Sequence, residues 1–559
     1  MHLYEAIAHA ALETYARLPP NGKPKRRSNH SPEWTVLAAV CLFRSTVAGW
    51  DTRCVSLGTG LKALPHARLP VHGDVLHDSH AEVIARRGFK AWLYGQIERV
   101  LEGEESGARD EADVLVERVD GDEWRLKAGW RVGFYVSTLP CGDASTYFLS
   151  LSAPAETEAP GNLSTRSIPT ASLAEGPSPR AQPPSLAVAA SLGMRTSRDP
   201  SPLSPLPAPT PPSPAGALPP PSVHRGRASY SSLSILRTKP GRADSPPTTS
   251  HSCSDKLALW ALCGLQGALL SRLGVRRVPV EVLVVGGFAE WEDEPRERIR
   301  AECARAVGGR LEAWAREAGL AEDGFRVPEV GFTREAFDGA REVVAKREGV
   351  DVADVVGCVE FTDASRGAAL SYVTDLPAGS APVEVITNGI RQGASAKRKP
   401  GEPLGPKNRS RLCKLSLYQA HLAVCDRLDA LSKAALGTSP TRATETASRL
   451  GGAALAPAPA DSPDTSSATS HPARSRSTTY HVSKHPSPLP SSPPSLPLSP
   501  SALAPLNPSK RYRLLKTLVR AGPFAGWLVS GREWESFDRE GRVVSSGEEE
   551  GAQGTGTGR

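Results

Sequence analysis

The sequence predicts an α/β protein with a central sheet flanked by helices, and three stretches carry that expectation. WRVGFYVST, ahead of Cys141, reads as a strand, and VPVEVLVVGG reads as a buried one; behind Cys253 the apolar Leu257, Trp260, Ala261, Gly264, Leu265 and Ala268 recur at helical spacing. A strand feeding a helix with a reactive side chain at its tip is the layout of an α/β site. Further along, RERIRAECARAVGGRLEAWAREAG is patterned as a helix that Gly308 and Gly309 interrupt, and EWEDEPRE before it reads as a solvated turn or helix start. Both belong to the scaffold.

Composition limits how much of the chain is core. The 559 residues include 51 Pro and 50 Gly, unevenly spread. Residues 153–234 and 436–508 are dominated by Ser, Pro and Ala with few aromatics, too little apolar surface to offset the entropy of ordering. The remainder suffices for one large domain spanning 1–541, assembled from blocks 1–152, 235–435 and 509–541, with 542–559 as a flexible tail. An insert inside a domain is tolerable, because loop closure costs only about 0.6 kcal/mol per doubling of length. A net charge of +7 suits an acidic ligand or RNA. Basic residues are densest at Arg391, Lys397, Arg398, Lys399, Lys407, Arg409 and Arg411, in either an RNA-facing loop or a solvated linker. Nine irregularly spaced cysteines without a signal peptide argue for an intracellular setting, nucleus or cytoplasm, with no disulfide framework or disulfide-linked partner. Cys41, Cys54, Cys263, Cys303, Cys358 and Cys425 read as buried hydrophobes, and no run is long and apolar enough for a membrane span.

Three short runs carry the chemistry. LHDSHAEVIARR supplies His80 and Glu82, STLPCGDAS supplies Cys141, and SHSCSDK supplies Cys253. Each reads as the start of a helix, with Asp78 or Ser79, Gly142 or Asp143, and Ser252 or Ser254 as capping candidates. Positive partial charge at such ends favours thiolate over thiol. Two thiolates and a neutral imidazole cancel the charge of Zn²⁺ and leave a fourth position for water, whose pKa falls from ~15.7 toward ~7. Glu82, two residues beyond His80, points elsewhere on a helix and can carry protons to a ring nitrogen and a departing amine. That equipment displaces ammonia from a nucleobase. Singly, the residues have plainer readings: Ser79 and Glu82 fit a capping box, and a lone Cys or His is commonly structural. Their joint occurrence favours the metal centre. The P-C-x-x-C pattern of many such sites fails here at Ala144, so the second thiolate comes from far along the chain.

The wording HAE, PCGDAS and SCSDK, with that long separation, resembles the adenosine-to-inosine RNA deaminases. YARLPPNGKP and EWTVLAAV narrow the resemblance to the tRNA-specific branch. It implies a cytidine-deaminase-like core with a C-terminal helical extension enclosing a polyphosphate site. It also implies alanine tRNA as partner, with adenosine 37 as target, and buried inositol hexakisphosphate beside Zn²⁺ as a structural cofactor. The positions matching its polyphosphate ligands are Arg86, Arg87, Lys256, Trp260, Lys414, Tyr480, Lys484, Tyr512, Lys516 and Trp527, while Asp78 and Lys239 match a relay toward the zinc. So many buried cations would cost several kcal/mol each without an anion; a solvated basic face is the plainer reading. Leu61 replaces a threonine expected near the substrate ribose, although Thr59, Gly60 and Lys62 fit. Leu259, Ala268, His77, Val529 and Ser530 replace other polar contacts.

Two further functions fit the sequence: deamination of another RNA or of a free nucleoside, adenosine or cytidine, and a catalytically silent RNA-binding zinc protein. No double-stranded-RNA-binding module is recognisable before residue 80, which disfavours duplex editing.

Overall fold

The computed structural model describes residues 1–27, 30–106, 114–119, 123–150, 223–225, 232–239, 246–288, 291–320, 324–357, 368–377, 379–437, 479–485, 498, 503 and 505–545. Most of the two Ser/Pro-rich inserts, the end of the tail and Cys358 lie outside them.

The central sheet contains β1 (Leu37–Thr46), β2 (Gly49–Thr59), β5 (Arg131–Val136), β6 (Val282–Val285), β7 (Glu329–Phe332), β8 (Ala368–Val373), β9 (Val383–Thr387) and β10 (Ile390–Arg391). β3 (Leu61–Ala63) and β4 (Asp78–His80) form a separate antiparallel pair. The strand order is β7-β6-β5-β1-β2-β8-β9-β10. β5, β6 and β7 run parallel, with Phe134 opposite Leu283, and the pairs from β1 to β10 are antiparallel. WRVGFYVST and VPVEVLVVGG thus contain neighbouring parallel strands of the central sheet, as their apolar runs predict.

Both faces of the sheet are covered. Along β1 every residue from Leu37 to Phe43 is fully buried, and strand alternation sends the two sets to opposite sides. Leu37, Ala39, Cys41 and Phe43 pack on Ile7, Ala8, Ala11 and Tyr15 of α1 (Leu3–Arg17). Ala38, Val40 and Leu42 join the larger core with Ala81, Ala85, Phe89 and Trp92 of α2 (Ala81–Ser106). α2 lies tight against β2, where a Cβ on Gly58 would come within 2.5 Å of Ile84. That contact sets the depth of the helix whose first turn carries Glu82.

The remaining helices are α3 (Asp143–Ser150), α4 (Cys253–Cys263), α5 (Gly267–Arg272), α6 (Asp293–Val307), short helices at Glu312–Glu317 and Arg341–Glu348, α7 (Lys414–Gly437), α8 (Tyr480–Lys484) and α9 (Pro508–Ala521). EWEDEPRE is the start of α6, which ends at Gly308 as the paired glycines predict. Inside the stretch expected as a second insert, Thr479 caps α8, and Tyr480 is buried against Tyr418 and Phe537. Ser234, inside the first, reaches the Asp143 carboxylate through its backbone N–H at 3.0 Å. The basic run is neither an open RNA-facing loop nor a linker throughout. Arg398 pairs with Asp74 at 3.0 Å, Arg411 with Glu384 at 3.3 Å, and Arg409 is buried on the Leu404 carbonyl and Gln419, leaving Lys397, Lys399 and Lys407 exposed.

Candidate active site

Two helix starts and the end of one strand carry the candidate residues. His80 closes β4, opposite Leu61 of β3, and α2 begins at the next residue. His80 therefore sits on a strand end rather than a helical turn. Cys141 precedes α3, and Cys253 is the first residue of α4, whose cap is Ser252 accepting from the Asp255 N–H. The Cys141 thiol is in hydrogen-bond contact with the side chains of both His80 and Cys253, and the Cys253 N–H points at its sulfur from 3.3 Å.

Local backbone makes this approach possible. Gly142 has φ +98°, and a Cβ there would stand 2.3 Å from the Ser252 hydroxyl oxygen, so only glycine lets the two turns meet. Ser254 then laces them together: its hydroxyl accepts from the Ala144 N–H at 3.0 Å and donates to the Cys141 carbonyl at 2.9 Å.

The electrostatics of this cluster are asymmetric. A hydrogen bond from Cys253, with help from Lys239 and His80, holds the Cys141 thiol well below the ordinary range, while burial and the Cys141 charge push Cys253 up. Burial, then the neighbouring Cys141, raises the Glu82 carboxyl, which is 3% exposed.

Asp78 organises the back of the site. Its Oδ1 accepts from the backbone N–H and Nδ1 of His80, each at 3.0 Å, so Nε2 is the imidazole atom left for the cysteines. Its Oδ2 accepts from Lys239 at 2.9 Å and from Lys256 and Ser250 at 2.5 Å. Lys239 also lies 3.2 Å from the Cys253 sulfur. Despite the cost of burial, Lys239 and Lys256, with the hydrogen bond from His80, hold the Asp78 carboxyl well below the usual range.

Behind Asp78 lies a cavity of about 460 Å³. All ten residues expected around a polyphosphate line it, and so do Leu259, Ala268, His77, Val529 and Ser530. Arg86 stacks over Trp260 at 4.8 Å, Lys516 over Tyr512 at 5.7 Å, and Arg520 over Trp527 at 5.6 Å. Lys90, Arg520 and Glu535 also line it and were not among the expected ligands. Lys90 follows Arg86 by four residues and Arg520 follows Lys516 by four, so helical spacing alone could have found both. Glu535, from a segment without such periodicity, gave no comparable signal. Burial and mutual repulsion push Lys516 down to about 7 and Lys90 well below its usual range. Burial takes Lys414 to about 8, although Glu535 opposes the shift. His481, His485 and Glu535 bring their ligand atoms within 4.8 Å of one another, but Glu535 already pairs with Lys414 and Lys484 and serves as their counter-charge.

The Thr59 hydroxyl accepts from the Leu370 N–H at 2.9 Å, and Lys62 donates to the Asn388 side chain at 2.9 Å. The eight described cysteines are free; Cys54 is half-buried, opposite Cys41, and Cys413 is buried. No helix among the described residues is long and apolar enough to cross a membrane.

An α/β sheet whose flanking turns bring Cys141 beside His80 and Cys253, with the buried Glu82 next to them, belongs to an α/β enzyme of the deaminase class. Residues 56–441 match the adenosine-deaminase (editase) domain, more than half of the chain, and the protein belongs to that family. It is 28% identical over 491 residues to human tRNA-specific adenosine deaminase 1, covering 76% of this chain and 89% of that protein. To the Saccharomyces cerevisiae protein of the same name it is 27% identical over 304 residues, covering 53% and 61%. The double-stranded RNA-specific editase Adar of Drosophila melanogaster is 26% identical over 256 residues, covering 46% and 29%.

Proposed function

We propose that the protein deaminates adenosine to inosine in tRNA by zinc-dependent hydrolysis, with adenosine 37 of alanine tRNA as the target. The observation that carries this reading is the contact of Cys141 with both His80 and Cys253 beside the buried Glu82. The donor set fits a zinc ion: Asp78 occupies His80 Nδ1, Lys239 supports the Cys253 sulfur, and two thiolates with a neutral imidazole would balance a dication. Bound zinc would supply an activated water at neutral pH. Glu82 takes the proton released by the attacking water and returns protons to the purine ring nitrogen and the leaving amine. Its burial keeps bulk water from competing for that transfer. Two relatives named as tRNA-specific deaminases support tRNA as the substrate class, and an anticodon-loop base can be unstacked at modest cost.

The cavity fits a polyanion such as inositol hexakisphosphate. Arg86, Arg87, Lys90, Lys256, Lys414, Lys484, Lys516 and Arg520 face it against two carboxylates, Asp78 and Glu535. Phosphate groups would offset the burial and the mutual repulsion that together depress Lys90 and Lys516.

Mass spectrometry of nucleosides from alanine tRNA incubated with the full chain tests the activity. We expect inosine, and with Glu82→Gln a loss of about 10²–10⁴-fold at unchanged zinc content. No inosine gain from wild type, or an equal gain from the variant, rejects the reading. Comparable turnover of free adenosine would move the substrate class to nucleosides.

A further inference from the structure

Asp143 and Asp255 each stand two residues beyond a cysteine, Cys141 and Cys253, and neither side chain is exposed. Between them lies one guanidinium. Arg310, in the turn Gly309–Leu311 after α6, places Nη2 at 2.7 Å from Asp255 Oδ1 and Nη1 at 3.8 Å from Asp143 Oδ2, with its side chain 3% exposed. Phe524 covers the guanidinium, 4.9 Å from its ring centre.

Each carboxylate has further fixed partners. Asp143 accepts from Arg305 at 2.7 Å and from the Ser234 N–H. Asp255 accepts from the Arg237 N–H at 2.9 Å and the Ser252 hydroxyl at 2.7 Å. Arg310 is the side chain common to both sets, and it comes from an element that supplies no expected metal ligand.

We propose that Arg310 is a positioning residue for the metal centre, a buried strap that fixes the separation of the two turns presenting Cys141 and Cys253. This rests on the zinc reading above. The two turns already touch through Gly142, Ser252 and Ser254, but these are short backbone and hydroxyl contacts. A guanidinium hydrogen-bonded to one buried carboxylate and 3.8 Å from the other opposes separation of the turns, because moving them apart draws desolvated charges away from the counter-charge they share. The sulfurs are then held at a fixed spacing before the ion arrives, and ligand preorganisation slows its loss.

The test uses the full-length zinc-loaded protein, wild type against Arg310→Gln and Arg310→Lys. Zinc release to a chromogenic chelator is followed below the unfolding temperature, and the visible bands of the cobalt-substituted forms are recorded. Arg427→Gln is the control: Arg427 ties α7 to Glu102 and Glu105 of α2, remote from the sulfurs. We expect Arg310→Gln to release zinc about 10–100-fold faster and to shift the cobalt bands, Arg310→Lys to fall between, and Arg427→Gln to match wild type in both. Equal release and identical spectra for a folded Arg310→Gln would overturn the proposal, leaving Arg310 a strut of the fold. Should Arg310→Gln not fold, Arg310→Lys carries the same comparison, since one ammonium cannot bridge both carboxylates as the guanidinium does. Wild-type protein that binds no zinc defeats the underlying reading itself, a result distinct from unchanged release.

Discussion

Asp78 shows how much one side chain can decide. It fixes the His80 tautomer through Nδ1 and gathers Lys239, Lys256 and Ser250 on its other oxygen, joining the cysteine site to the basic cavity. Removing its charge would strand two buried ammonium groups, so Asp78→Asn is expected to cost about 3–5 kcal/mol of stability. Urea unfolding monitored by tryptophan fluorescence measures it, and a change below 1 kcal/mol would show that the lysines find other partners. HAE, PCGDAS and SCSDK made His80, Glu82, Cys141 and Cys253 legible, because metal chemistry restricts residue type as well as spacing. Arg310 was not legible. An arginine between a double glycine and a helix has no distinguishing pattern, and its role depends on two carboxylates far away in the chain.

Turns and helix faces hold these residues in register. The approach of the Cys141 turn to α4 needs the left-handed backbone of Gly142 and the space left by its missing Cβ. Gly142→Ala is expected to destabilise the protein by about 1–3 kcal/mol and to lower its zinc content, read by thermal unfolding and elemental analysis. Full zinc occupancy with unchanged melting would show that the turns can separate without consequence. The faces of α2 and α9 were legible as four-residue repeats: Glu82, Arg86 and Lys90 on one, Tyr512, Lys516 and Arg520 on the other. Strand identity was legible for β5 and β6, whose buried runs match a sheet covered on both faces. Pairing order was not, since it depends on contacts between segments over a hundred residues apart.

Across the whole molecule, the charge in the cavity links folding, protons and ligand. Lys516 and Lys414 sit at about 7 and about 8, below the ordinary lysine value of 10.5, so above pH 7 the unfolded chain binds more protons than the folded one. These two lysines therefore make the stability of the anion-free protein rise with pH between about 7 and 8.5, above which the buried Cys263 and Cys303 thiols, both pushed up to about 12, oppose the trend. Thermal melts across that range should show the rise, and inositol hexakisphosphate should flatten it while raising stability, by about 2.7 kcal/mol at a hundredfold excess over Kd. Anion binding at pH 7.5 should also take up protons, visible as a buffer-dependent heat in titration calorimetry. Binding with no proton uptake would mean that the lysines are already charged in the free protein. The sequence by itself determined the α/β class, the imidazole, sulfur and carboxylate set, and the basic helix faces, because each depends on residue type and short-range periodicity. Only the tertiary structure decided how Asp78 divides its two oxygens between His80 and the lysines, that Glu535 answers Lys414 and Lys484, that most of the basic run is paired internally, and that Arg310 stands between the carboxylates beside the two cysteine turns. Those outcomes are set by burial and by partners distant in sequence, and a charge acquires its partner only when folding removes the water around it.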